Sequence, residues 1–259
     1  MKIVSIINTK GGVGKTVTAV HLGSALAHAG ARVLLFDIDL QHGLTTYFRA
    51  VPEGPTSAQV LVDGEPIEDA LIPLRERLQL VPATSEMEGA EGELIGASGG
   101  EVRLRRALRR FISDARGSGR DLPDWVLIDC PSGWSTVTRN ALLASHAMIV
   151  PVNSEPASIH TAVATIGAAG ELGEMHDHEI SLLGVLLTRF RTTNVARAVA
   201  QAAQSQWGDK LFGTRIRQAE KINELSISGD TIADLSQARQ VGVAADYADL
   251  AREVIARGS

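Results

Sequence analysis

Apolar residues along the chain follow two rhythms. Short, mostly unbroken runs occupy Ile3–Ile7, Arg32–Phe36, Leu78–Val81, Trp125–Ile128, Met148–Val152 and Leu182–Leu187, and each stops at a turn residue or an acid. Runs without polar alternation predict strands buried on both faces. Between them, apolar positions recur three and four residues apart. Ala19, Val20, Gly23, Leu26 and Ala27 follow Thr16 in this way until Gly30 supplies a helix stop. Val102–Ala115, Val137–Ala144 and Ile159–Leu172 repeat the pattern. Strands alternating with helices predict an α/β fold, a mostly parallel twisted sheet with helices on both faces. Val51–Thr56, with two prolines, and Glu86–Gly100, rich in Gly, Glu and Ser, read as surface loops. With no internal repeat, residues 1–259 read as a single domain with a long insertion before the Trp125 strand.

Composition narrows the function classes. The 259 residues are 44% hydrophobic and carry a net charge of -5, so nucleic acid could bind only through a local basic patch. No apolar stretch approaches the roughly 20 residues that span a bilayer. Met1–Ile7 leads straight into a strand without a cleavable apolar region, which predicts a cytoplasmic protein. The lone Cys130 allows neither an internal disulfide nor a multi-cysteine metal site within one chain, and it reads as a small buried residue.

The chemistry begins at Lys10-Gly11-Gly12-Val13-Gly14-Lys15-Thr16, between a strand and a helix. Glycines there let the backbone fold tightly with its N–H groups turned toward phosphate oxygens, and the following helix adds the positive end of its dipole. Lys15 is placed to reach the β- and γ-phosphates of ATP, and the Thr16 hydroxyl to ligate Mg²⁺. The ordinary phosphate-loop pattern wants glycine at position 9, where Thr9 stands, and has no use for a lysine at position 10. Trp125–Ile128 ends in Asp129, an acid at the end of an apolar strand, placed to hold a magnesium-bound water.

The Lys10–Thr16 segment resembles the deviant Walker A signature of the ParA/MinD family, a group of P-loop ATPases. Asp37-Ile38-Asp39-Leu40-Gln41 is similar to that family's D-x-D-P-Q segment, with Leu40 in place of proline, and Asp129-Cys-Pro-Ser132 to its D-C-P-P segment, with Ser132 in place of the last proline. Leu80–Thr84, Asn140–Leu142, Val150–Val152 and Ala244–Ala248 continue the similarity in order, so it covers essentially the whole chain. The resemblance implies a P-loop NTPase fold and slow, partner-stimulated ATP hydrolysis. It implies a homodimer in which Lys10 neutralises phosphate charge on the partner's nucleotide, acting with Lys15 and Asp39. Asp39 would orient the attacking water and, with Thr16 and Asp129 through water, form the magnesium site. Asp37 either belongs to the same switch or only caps the loop. Thr188 and Arg217 are the implied nucleotide contacts beyond Gly11, Gly12, Val13 and Gly14.

Two surfaces bear on what such a dimer would bind. Between Val185 and Lys221 stand seven basic residues, including Arg189, Arg191, Arg215, Arg217 and Lys221, against only Asp209 and Glu220. That excess suits either a DNA-phosphate patch, as the resemblance implies, or an ordinary solvated face. Arg103, Arg105, Arg106, Arg109 and Arg110 make a second basic run, read as a solvated helix face. The end of the chain, Asp246–Ser259, has an apolar stripe flanked by acids and reads as a core helix, not a lysine-rich membrane helix. His176 and His178 in a loop read as binding nothing. The expectation is a nucleoid-associated partition or positioning ATPase without an N-terminal operator-binding extension. Its activator would be a small ParB-like protein and its cargo a plasmid, a chromosome origin or an assembly such as a carboxysome. A MinD-like membrane ATPase and an ATP-coupled metabolic enzyme are the alternatives.

Overall fold

The computed structural model describes residues 1–235 and 242–258. Its strands are β1 (Lys2–Ile6), β2 (Val33–Asp37), β3 (Ile72–Arg75), β4 (Leu78–Val81), β5 (Trp125–Asp129), β6 (Ala147–Asn153), β7 (Ser181–Phe190) and β8 (Leu211–Arg217). The helices are α1 (Lys15–His28), α2 (Gly43–Tyr47), α3 (Ser57–Val62), α4 (Met87–Gly96), α5 (Arg103–Ser118), α6 (Thr136–Ala144), α7 (Pro156–Met175), α8 (Asn194–Trp207), α9 (Glu220–Ser228) and α10 (Val243–Gly258). Every strand lies in one sheet, ordered β3-β4-β2-β5-β1-β6-β7-β8. All neighbours pair parallel except β3 with β4. This is the expected α/β architecture.

Because side chains alternate across a strand, each central strand feeds two cores. Leu34, Phe36, Val126 and Ile128 face α3 to α8, whereas Val33, Leu35, Trp125 and Leu127 face α1 and α10. Burial on both sides is why these strands read as continuous apolar runs. The six expected strands are present, with no end displaced by more than three residues and β4 bounded as expected. The stretch expected as an insertion is built into the sheet, where β4 pairs with β2. Glu86–Gly100, expected as a loop, instead contains α4. Met87, Ala90 and Leu94 recur at helical spacing and are buried, although exposed Glu and Gly residues dilute the pattern. At Gly100 an added Cβ would stand 1.9 Å from the Leu94 carbonyl oxygen, so glycine there is a packing requirement.

Both sheet edges are covered. Pro73 removes an N–H from β3, and Arg75 pairs with Asp234. Along β8, Glu253 accepts from the N–H groups of Gly213 and Thr214, Asp246 accepts from Arg217 N–H, and Arg257 donates to the Leu211 carbonyl. These three side chains belong to α10. Its apolar residues, Tyr247, Leu250, Ala251 and Val254, are buried in the core shared with α1, as expected of a core helix. Ser259 lies outside the described residues.

His21, in the middle of α1, is fully buried against Tyr47 and Tyr247. Burial holds its pKa down to about 3, with Asp234 opposing. A folded-state value below the ordinary 6.5 means that the unfolded chain takes up this proton first. The stability from a neutral His21 is therefore complete above about pH 6.5 and is lost as the pH falls toward 3. Urea unfolding between pH 6 and 4 should show this residue removing about 1.4 kcal/mol per pH unit, and His21→Gln should flatten the slope by that amount.

Candidate nucleotide site

The C-terminal ends of β1, β2, β5, β6 and β7 meet along one crest, where open parallel sheets place ligands. β1 runs into residues 8–14 and α1 begins at Lys15. Gly12 and Gly14 take φ angles of 73° and 89°, the left-handed region that glycine tolerates best. The loop is held from outside: the Thr188 hydroxyl donates to the Val13 carbonyl (2.7 Å) and the Arg189 guanidinium to the Gly12 carbonyl (3.1 Å). No backbone hydrogen bond among the described residues uses the N–H groups of residues 11–15. The loop therefore offers its donors to an anion at the positive end of α1.

Lys15 is buried, and its ammonium donates to the Lys10 carbonyl (3.2 Å). Burial lowers its pKa, while the charge of Asp129 above all opposes that shift. Asp129 sits in register with Ile6 of β1 and Asp37 of β2. It is fully buried, and neither carboxylate oxygen has a hydrogen-bond partner. Burial and then the neighbouring Asp37 raise its pKa well above the usual carboxylate range. The Thr16 hydroxyl and Lys15 ammonium pull it back without closing a bond of good geometry. An unpartnered buried carboxylate calls for a cation or a cation-bound water. No cluster of three or more metal-ligating side chains exists among the described residues. Thr16, Asp129 and Asp39 thus suit a magnesium ion that keeps water and phosphate ligands, and not an all-protein cage.

The two aspartates after β2 divide their work. Asp37 is buried and accepts from Thr45 N–H (2.8 Å), the Thr45 hydroxyl (2.7 Å) and Asp39 N–H (3.2 Å). Burial pushes its pKa up to about 6, against the pull of those hydrogen bonds. The Thr45 hydroxyl also accepts from Ala83 N–H beyond β4, so Asp37 pins the loop to the sheet. Asp39 is partly exposed, its carboxylate accepts from Gln41 N–H (3.0 Å), and it lines the pocket.

Lys10 lies at the rim. Its ammonium pairs with Glu155 and donates to the Ser158 hydroxyl (2.9 Å) at the start of α7. A cavity of about 330 Å³ opens over the loop and runs toward β8 and α10, the size range of small-ligand pockets. Thr188 and Arg217 line it. Ser132, Ile222, Asn223 and Tyr247 line it too, although Tyr247 reads from the sequence only as part of a core stripe. Glu155 and Ser158 carried no sequence signal beyond lying after an apolar strand.

The basic stretch is less uniform than its charge count. Arg189, at the end of β7, is tied to the phosphate loop through the Gly12 carbonyl. Arg217 forms a paired ion contact with Asp246 (2.7 Å), and Lys221 pairs with Glu224 (2.9 Å), both acids lying beyond residue 221. Arg191 donates to Gln218 and Arg215 lies over the Phe190 ring, and neither meets a carboxylate among the described residues. His176 pairs with Glu101 and His178 bonds the Ser145 carbonyl. Cys130 is fully buried, with its thiol pKa pushed up by burial. No helix among the described residues is long and apolar enough to cross a membrane.

Comparisons with known proteins agree with this fold. A family model described as an AAA domain matches residues 1–180. The sporulation initiation inhibitor protein Soj of Bacillus subtilis is 34% identical over 99% of this chain and 99% of its own. The chromosome-partitioning ATPase Soj of Thermus thermophilus is 35% identical over 98% of this chain and 95% of its own. Among solved structures, an ATP complex of a McdA from Cyanothece superposes with a TM-score of 0.84 at 21% identity, covering 99% of this chain and 96% of that one, which supports the fold. With these relatives spanning nearly its whole length, the chain belongs to the ParA/MinD family of P-loop ATPases, the partition and positioning ATPases.

Proposed function

We propose that the chain dimerises on binding MgATP, holds DNA without sequence preference in that state, and lets go when a small activator protein stimulates hydrolysis. Lys10 carries the reading. Lys15 alone already faces the phosphate cradle, and a second lysine stands at the rim, tied to α7 and outside the cradle. One nucleotide has no need of it. A facing copy would bring Lys10 against the partner's phosphates, as an arginine finger acts in trans.

In this reading Lys15 and the loop N–H groups hold the phosphates of ATP, Thr188 and Arg217 line the path to the base, and Asp39 orients the attacking water. Magnesium at Thr16, Asp129 through water, and Asp39 would neutralise phosphate charge when bound. Asp37 keeps the Asp39 loop in place and takes no part in the reaction. Arg191 and Arg215, free of carboxylates, are the primary DNA contacts, with Lys221 and Arg189 at the margin. The cargo class, whether plasmid, chromosome origin or protein assembly such as a carboxysome, follows from the activator. A membrane matrix is disfavoured because the apolar stripe of α10 is spent on packing against α1.

Lys15→Ala should lower ATP affinity about 100-fold, since a buried charge-assisted contact is lost. Asp39→Ala should keep ATP binding but reduce turnover by two to three orders of magnitude. Equilibrium binding of a fluorescent ATP analogue and phosphate release test both, and normal turnover in Asp39→Ala would remove Asp39 from its role.

For the matrix, the Arg191→Ala, Arg215→Ala double variant should reduce the slope of log affinity against log salt by about two on non-specific duplex DNA. Filter binding with ATP, ADP and no nucleotide checks this. Equal affinity in all three states would end the switch model.

A further inference from the structure

Helix α5 carries its arginines in two rows, and only one of them is settled within the chain. Arg103, Arg106 and Arg110 line a cleft beside residues 64–68, where Arg110 donates to the Gly64 carbonyl (3.0 Å) and pairs with Asp114 (3.6 Å). The second row is Arg105, Arg109 and Arg116, with the partly exposed Ile112 among them. At 3.6 residues per turn these four positions fall within about 60° of arc and run about 16 Å along the helix. None of the three arginines has a hydrogen-bond or ion-pair partner among the described residues.

The free helix is destabilised twice by this arrangement. Arg105 and Arg109 stand one turn apart, a like-charge pair. Burial and then the Arg109 charge lower the pKa of Arg105, with Asp177 opposing. Arg103, Arg105 and Arg106 also crowd the first turn, at the positive end of the helix dipole, and no acid stands among them. Glu101, just ahead of the helix, is engaged by Arg139 and His176. The chain as a whole carries a net charge of -5, so the missing acids are not scarce in it; they are kept away from this row.

We propose that the Arg105–Arg109–Arg116 row of α5 is a docking surface for an acidic helix of a partner protein. Steps of four, three and four residues are the spacing at which one helix keeps a single line of contact with another laid along it. The partner helix sets carboxylates opposite the three arginines and an apolar residue opposite Ile112. Every basic residue of α5 is arginine, whose planar fork meets a carboxylate through two hydrogen bonds. Duplex DNA is the other polyanion that arginines hold, and the row suits it less. Ile112 offers nothing to a phosphodiester backbone, and the exposed Asp114 and the nearby Asp177 flank the row with repelling charge. None of the four residues lines the nucleotide pocket, and α5 packs on α3 and α6, so docking here leaves the crest open and is independent of the nucleotide-driven dimer.

Fluorescence anisotropy of the full chain with a designed helical peptide tests this. The matched peptide carries Glu opposite Arg105, Arg109 and Arg116 and Leu opposite Ile112, and a scrambled peptide of the same composition is its control. Exposed ion pairs are worth about two- to five-fold each, so three in register should favour the matched peptide by roughly ten- to hundred-fold at low salt. The Arg105→Ala, Arg109→Ala, Arg116→Ala triple variant should lose that preference, and Arg106→Ala should keep it. The Arg105→Glu, Arg109→Glu, Arg116→Glu variant should instead prefer a peptide with Lys in place of Glu, which a misfolded chain could not do. Equal binding of matched and scrambled peptides by the parent overturns the docking surface, as does a triple variant that retains the preference. If the parent shows no peptide preference and the triple variant is weakened on duplex DNA, the row is a phosphate track and the acidic-helix partner is equally overturned.

Discussion

Asp129 and Lys15 are opposite charges at the ends of adjoining elements, both withdrawn from water and neither fully satisfied by the protein. The carboxylate has no hydrogen-bond donor of good geometry, and the ammonium rests on a single backbone carbonyl. Each is expensive to bury alone, and their mutual attraction offsets only part of that. The surrounding architecture keeps them close: β1 and β5 pair in register so that Asp129 emerges beside the loop that α1 continues. Asp37 adds a second acid to the same corner, but its carboxylate is bound by Thr45 and by the Asp39 backbone, so it steadies the corner without competing for a ligand.

The same corner explains the division of roles among residues that look alike in sequence. Lys10 and Lys15 are five positions apart, yet one faces inward under the glycine turns and the other outward to α7. Asp37 and Asp39 are two apart, but β2 ends at Asp37: the first stays in the sheet and the core, and the second stands in the loop that follows, at the pocket. Resemblance alone leaves the role of Asp37 open; the hydrogen bonds from Thr45 show only that its carboxylate holds the loop to the sheet.

Much of this was legible in the residues themselves. The central strands announced themselves as unbroken apolar runs because both faces are covered, and Lys10–Thr16 could be placed between β1 and α1 because glycine spacing and element order agree. α4 was hidden because its three buried residues are separated by glycines and glutamates, which depress a composition-based reading while leaving the spacing intact. β8 was hidden because an edge strand need bury only part of its length, so Arg215 and Arg217 interrupt it. Ion pairs such as Arg217 with Asp246 lie beyond any local window, since they join β8 to a helix 29 residues further on. The contacts of Lys10 with Glu155 and Ser158 cross 145 and 148 positions, and no spacing rule carries that.

The covered edges of the sheet bear on how copies of this chain can meet. A parallel sheet with bare margins is a template for strand addition, and such addition has no natural end: it yields fibres. Here the last strand's outward amides are already occupied by Glu253 and Asp246, and the first strand is broken by Pro73. Polymerisation by sheet extension is closed on both sides. In the proposed dimer, self-association is left to the crest, where a two-fold contact closes on itself and yields discrete, reversible pairs instead of a growing chain.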